Sequence, residues 1–160
     1  MLSSTPRDLR DAATRALYWY GRRRPSALVE LTLRSFSVND PNVRERCVAA
    51  CFGVAMALHA DTHASDYRAT VLPHAGRALY GGMFADGAPH GTTHALLRDY
   101  AAGVIHLAAR VQPCLFAPGE LMRATPPYPE PAGHGNVARW DALDETAARW
   151  DRVHRWTWTS

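Results

Sequence analysis

Apolar residues recur along most of this chain at helical spacing, and turn residues divide the pattern into pairs of helices. Leu9, Ala12, Ala13, Ala16, Leu17 and Tyr20 mark a first helix that runs to Gly21 behind a cap built from Thr5, Pro6 and Asp8. A second begins at Pro25 and is expected to turn Leu28, Leu31 and Phe36 inward before the Val38-Asn39-Asp40-Pro41 turn. The short link from Gly21 to Pro25 implies that these two helices are antiparallel. The third, Pro41 to about His59, is the clearest. Asp40 suits the N-cap, Pro41 suits the first position, where a missing N–H costs nothing, and Val43, Cys47, Cys51, Val54 and Leu58 share a face. A fourth helical region spans roughly Asp66 to Met83, with Pro73 kinking or splitting it. A fifth is expected to be capped by Thr92 or Thr93 and to carry Leu97, Tyr100, Ala101, Val104, Leu107, Ala108 and Val111 up to Pro113. A short turn of helix follows Pro118, and no alternating run signals a strand, so the expected fold class is all-α.

Three helices open alike, with an apolar residue, an arginine and an acid: Leu9-Arg10-Asp11, Val43-Arg44-Glu45 and Leu97-Arg98-Asp99. Recurrence of this kind points to repeated helix pairs. The expected role of Arg10, Arg44 and Arg98 is an inter-helix hydrogen bond to a neighbouring acid, a use the rigid guanidinium fork serves well. Residues 1–125 are accordingly assigned to one helical-repeat domain. Residues 126–138, with Pro126, Pro127, Pro129, Pro131, Gly133 and Gly135, form an expected linker. Residues 139–160 form a tail rich in Trp and Arg that holds Trp140, Trp150, Trp156 and Trp158. Two readings of that tail stand side by side: a helix from about Asp141 to Arg155 that docks through its tryptophans, or a segment with no structural role.

Composition narrows the function classes. With 160 residues, 47% hydrophobic and 21% charged, the chain can bury a real core. All 18 basic side chains are Arg, a bias that GC-rich coding alone produces, and the formal charge is only +3. The longest basic stretch, Arg22-Arg23-Arg24, sits where a helix ends and complements its dipole, so nucleic acid is disfavoured as a partner. Cys47, Cys51 and Cys114 give an odd count without a zinc-knuckle pattern, which fits buried thiols in a reducing, cytoplasmic setting. No apolar run approaches the roughly eighteen residues that a membrane span needs, and the N-terminus lacks a signal-length apolar core.

Eight histidines make a metal centre the competing idea, a small His-dependent enzyme. His59 with His63 and His90 with His94 are the candidate ligands, since an i, i+4 pair can offer two imidazoles to one ion. Both pairs straddle expected helix ends and lack the Glu of a His-Glu-x-x-His motif. His106 and Asp99 lie seven residues apart, on one face but two turns removed, and are expected to line a groove between helices. Ser26, Ser35, Ser37 and Ser65 have no G-x-S-x-G elbow, and Cys114 has no activating pattern beside it, so no catalytic residue is assigned.

The three openings resemble HEAT repeats, whose second helix commonly starts at Asp and continues through Val-Arg into alternating Ala and Leu. Asp40-Pro41-Asn42-Val43-Arg44-Glu45 carries that start, and Leu9 to Tyr18 carries the spacing. With Arg77-Ala78-Leu79-Tyr80 and the stretch from His90 to Ala101, the region from Thr5 to Tyr128 is similar to the helical-repeat part of large bacterial STAND or NACHT-type ATPases. The resemblance implies a HEAT-like or armadillo-type array, a short α-solenoid of antiparallel helix pairs. It also implies a non-enzymatic module that binds a protein partner or the rest of a parent ATPase, in a group implicated in antiphage defence. No G-x-x-x-x-G-K-[ST] motif and no Lys occur, so ATP binding is not carried over and no cofactor is expected. A repeat array separated from its neighbours exposes apolar ends, which implies self-association as well.

Overall fold

The structure, a computed structural model, describes residues 7–130. It is all-helical there, without strands: α1 (Arg7–Arg23), α2 (Pro25–Ser35), α3 (Pro41–Ala60), a π-helical turn (Tyr67–Val71) running into α4 (Leu72–Met83), α5 (Ala95–Val111), and α6 (Pro118–Arg123) after a short 3-10 turn at Pro113–Leu115. The Thr5 and Pro6 cap, residues 131–138 of the expected linker and the 139–160 tail lie outside the described residues.

Local chemistry sets most of the boundaries. Asp40 accepts the Asn42 N–H at 2.9 Å and caps α3, with Pro41 at its first position. Gly21 does not end α1, which continues to Arg23. It is buried inside the helix, and a side chain there would run into Leu28 of α2 and Val54 of α3, so its lack of one permits a close three-helix junction. Pro73 falls in the first turn of α4, where the expected helical region from Asp66 to Met83 divides into a π-helical turn and an α-helix. The π-helical turn just before it, in which the Leu72 N–H reaches back to the Tyr67 carbonyl, absorbs the interruption that a proline imposes on the α ladder.

The direction of the helices follows from which residues meet. Asp11 and Arg46, near the starts of α1 and α3, lie 4.0 Å apart, while farther along the same helices a side chain at Gly53 would meet the Tyr18 ring at 3.5 Å. α1 and α3 therefore run parallel. By the same reasoning, α5 runs parallel to α3: Glu45 meets His94 at its start, and Phe52 packs on Gly103 farther along. α2 returns between α1 and α3 in the opposite sense, its start near Val54 and its Thr32 hydroxyl 3.3 Å from the Cys47 carbonyl. α4 packs antiparallel on α5, where Gly76 faces Ala108 and Ile105.

α3 touches α1, α2 and α5, which explains why it is apolar on most sides rather than on one stripe. Its buried residues Val48, Val54, Ala55 and Leu58 join Leu28, Leu72, Leu79, Leu97, Val104 and Ile105 in one continuous core. Each such Val, Leu or Ile side chain contributes about 1.5–3 kcal/mol of transfer free energy. Leu31 is not in that core; it is 40% exposed. The inward stripe of α2 is Leu28, Val29, Thr32 and Ser35, with Phe36 just beyond, and Thr32 is tolerated because its hydroxyl donates to the Leu28 carbonyl at 2.8 Å.

Candidate functional site

The feature that distinguishes this fold is a shared register in α1, α3 and α5. Leu9, Val43 and Leu97 are the third residues of their helices, and Asp11, Glu45 and Asp99 the fifth. Tyr18, Phe52 and His106 are the twelfth. The fifth and twelfth positions lie two turns apart on one face, and in all three helices that face meets the next element.

From α1, Asp11 approaches Arg46 and Tyr18 lies beside Gly53. From α3, the Glu45 carboxylate is 3.4 Å from His94 Nε2, and the Phe52 ring covers Gly103, its centroid 6.1 Å from that of Tyr100. From α5, Asp99 accepts the Tyr128 hydroxyl at 2.7 Å, while His106 Nε2 donates to the Ala124 carbonyl at 3.0 Å and to Thr125 Oγ1 at 3.2 Å. The donor role of His106 follows from the carbonyl, which can only accept.

The ties between helices are thus made by the acids. Arg10 Nε and Arg44 Nε are buried with no hydrogen-bond partner among the described residues. Arg98 donates to the Pro129 carbonyl at 2.6 Å and lies 4.4 Å above the Tyr128 ring. Arg98 therefore engages the segment after α6 rather than an acid of another helix.

Tyr128 also packs on Phe84, centroids 5.8 Å apart, so the Pro-rich stretch expected as a linker from residue 126 begins as part of the fold. It lies against α5 at Tyr128 and Pro129, past a cis Pro126–Pro127 bond. Burial and the bond to Asp99 both push the Tyr128 phenol well above its usual range. A cavity of about 110 Å³ beside this segment is lined by Phe84, Asp86, Arg98, Arg123 and Glu130. Its arginines are engaged, Arg123 by Asp86 and Arg98 by Pro129, so it offers no free cation.

The histidine pairs are not brought together as ligand sets. His94 is itself the cap of α5, in place of Thr92 or Thr93: Nδ1 accepts the Leu97 N–H at 3.3 Å while Nε2 faces Glu45. Both ring nitrogens are used. His90 stacks flat on Phe36, centroids 5.0 Å apart. His59 Nδ1 is buried without a partner among the described residues, whereas His63 is exposed in the following loop. Among the described residues no group of three metal-capable side chains converges.

Cys47 and Cys51 sit in the core as expected, beside Ser35 and Thr32. Burial pushes the Cys51 thiol up to about 12 and raises Cys47 as well, so neither is a thiolate near neutral pH. Tyr67, whose hydroxyl is buried without a partner, is raised by the same cause.

The forward contacts of the fifth and twelfth positions were not visible as a pattern in the sequence. Only the acid recurs by type; Tyr, Phe and His share a place, not a chemistry. No helix of the described residues is long and apolar enough to cross a membrane. Comparison with known proteins finds no matching family model, no matching curated protein and no matching solved structure.

Proposed function

We propose that this chain is a non-enzymatic protein-interaction module, a short HEAT-like array of the kind that large bacterial STAND or NACHT-type ATPases carry as sensors, and that it acts in the cytoplasm beside such an ATPase. One observation carries the reading: α1, α3 and α5 share a register and each uses the same two positions to engage the next element. A fold built by repeating one contact presents long side faces, and such faces serve binding.

The test starts from the reading frames that flank the coding sequence, searched for further helix pairs and for a G-x-x-x-x-G-K-[ST] motif. The ATPase so encoded is co-expressed with this chain. Stable co-purification from a size-exclusion column supports the module reading. Separate elution of the two proteins, or flanking frames with neither feature, overturns the link to an ATPase.

A further inference from the structure

We propose that the segment from Ala124 to Pro129 is a terminating strap: it takes on α5 the place that a following helix takes on α1 and α3, and it thereby keeps a second copy of this chain from pairing through that face. The inference goes beyond the module reading and does not depend on an ATPase partner.

The strap is recognised by what it replaces. Asp11 and Tyr18, the fifth and twelfth residues of α1, meet α3, and Glu45 and Phe52 of α3 meet α5 and the His94 that caps it. On α5 the same two positions are taken by the strap. Asp99 accepts the Tyr128 hydroxyl at 2.7 Å, and His106 Nε2 donates to the Ala124 carbonyl at 3.0 Å. From Asp99 to His106 the helix axis advances about 10 Å, a distance that the four residues from Ala124 to Tyr128 span when extended. His106 is met first and Asp99 second, so the strap runs antiparallel to α5. A following helix runs parallel to the one before it, as α3 does to α1 and α5 to α3. The strap therefore ends the pattern of contacts rather than continuing it.

What lies beneath the strap differs from what it shows outward. Ala102, three residues after Asp99 and four before His106, shares their face of α5 and is 4% exposed. Phe84, on which the Tyr128 ring packs, is buried, and so is Ala124. Outward, Pro126, Pro127 and Pro129 are exposed and have no backbone N–H to offer another chain. The Thr125 hydroxyl donates to the Leu121 carbonyl, and the Pro129 carbonyl accepts from Arg98.

The face so covered is self-complementary. Asp99 and His106 stand almost symmetrically about the small Ala102, so two bared α5 helices laid antiparallel about a two-fold axis set each Asp99 against the other copy's His106. A second copy is the occupant that the strap excludes. The strap thus withdraws this face from the self-association that an exposed array end implies.

The test is sedimentation velocity of the full chain over a hundredfold range of concentration. The variant Thr125→Ala with Tyr128→Ala loosens the strap at both anchors and leaves Asp99, Ala102 and His106 in place. It should form a dimer at least tenfold tighter than any formed by the parent, and adding His106→Glu, which sets acid against acid, should abolish that dimer. Tyr128→Phe keeps the ring on Phe84 and should sediment like the parent. Both substituted positions lie outside the helices, so circular dichroism should stay unchanged; if the double variant loses helical signal, Tyr128→Ala alone takes its place. A helical, loosened variant that sediments like the parent overturns the proposal. A dimer indifferent to His106→Glu also overturns it, as does a parent that dimerises as tightly as the variant. Co-purification with an ATPase reads the module proposal separately, so the failure of one leaves the other standing.

Discussion

The Glu45 carboxylate of α3 lies 3.4 Å from Nε2 of His94, whose Nδ1 caps α5 by accepting the Leu97 N–H. One imidazole thus holds two helices in register: its cap fixes where α5 starts, and its other nitrogen fixes that start against α3. A neutral ring suffices, with its proton on Nε2 directed at the carboxylate. Replacing His94 by Ala removes both contacts and should cost about 1 kcal/mol, within the range for losing an N-cap. His94→Asn keeps a capping acceptor and should recover most of that loss, whereas Glu45→Ala should cost no more than a surface ion pair, about 0.5 kcal/mol. Urea unfolding of the three variants checks this; an Ala variant as stable as the parent would remove His94 from its structural role.

Gly103 is where the Phe52 ring enters α5, and a methyl group there would lie 2.7 Å from Phe52 Cδ2 and 2.9 Å from Cζ. Gly→Ala in a helix gains about 1 kcal/mol of propensity, but overpacking costs about 1–3 kcal/mol. A stiff aromatic ring cannot yield as the tip of a long side chain does, so Gly103→Ala should be net destabilising. In a Phe52→Ala background the same change should turn stabilising. A double-mutant cycle by thermal unfolding reads the sign; additivity would mean that the two residues do not meet.

Beyond the His106 bonds to Ala124 and Thr125, the segment after α6 is anchored on α5 chiefly at Tyr128. Tyr128 donates to Asp99, lies under the Arg98 guanidinium and packs on Phe84. Tyr128→Phe removes a hydrogen bond to a charged acceptor, worth about 1.5–3 kcal/mol at most, and keeps the ring. Tyr128→Ala removes the stacking as well, and should raise amide exchange at the start of α5 and through Thr125 to Glu130. Unchanged exchange in the Ala variant would show the segment to be independent of α5.

Thiol chemistry should divide the cysteines. Cys114 is exposed, whereas Cys47 and Cys51 are buried with raised thiol pKa values. An alkylating reagent at pH 8 should modify Cys114 alone in the native chain and all three in guanidinium. The sign for stability follows. Cys51 stays protonated in the native state up to about 12, while the unfolded chain releases that proton from about 9.0 upward, so stability should fall as pH rises between these values. Cys51→Ser should reduce that slope, leaving the share of Cys47 and the buried tyrosines; a slope unchanged by the substitution would assign it wholly to them.

Acid should act through Glu120, which accepts the Ala117 N–H at 2.9 Å and is paired with Arg77. The backbone bond first, and the arginine second, hold its carboxyl below the usual range. With the folded value depressed, the stabilisation is present above the unfolded value and is lost as pH falls through the folded one. Glu120→Gln should flatten the acid limb of the denaturation midpoint below the unfolded carboxyl value of 4.5; an identical limb in the variant would place acid sensitivity elsewhere.

The helices themselves were legible in the sequence because their signals are local. Asp40 followed by Pro41 caps α3, Pro25 opens α2 and Pro113 closes α5 through atoms within one turn of each boundary, and no partner from elsewhere is needed. The all-α class followed from the same local periodicity. Which residue performs a task was decided only in three dimensions. His94 outcompetes Thr92 and Thr93 as the cap because Glu45, 49 residues earlier, holds its other nitrogen. Thr32 takes the inward place expected of Leu31 because α3 brings the Cys47 carbonyl to its hydroxyl. Arg98 and Asp99 meet at Tyr128 only because the chain returns past α5 there. Local rules speak for one helix at a time; the placing of a side chain against another helix depends on where that helix lies.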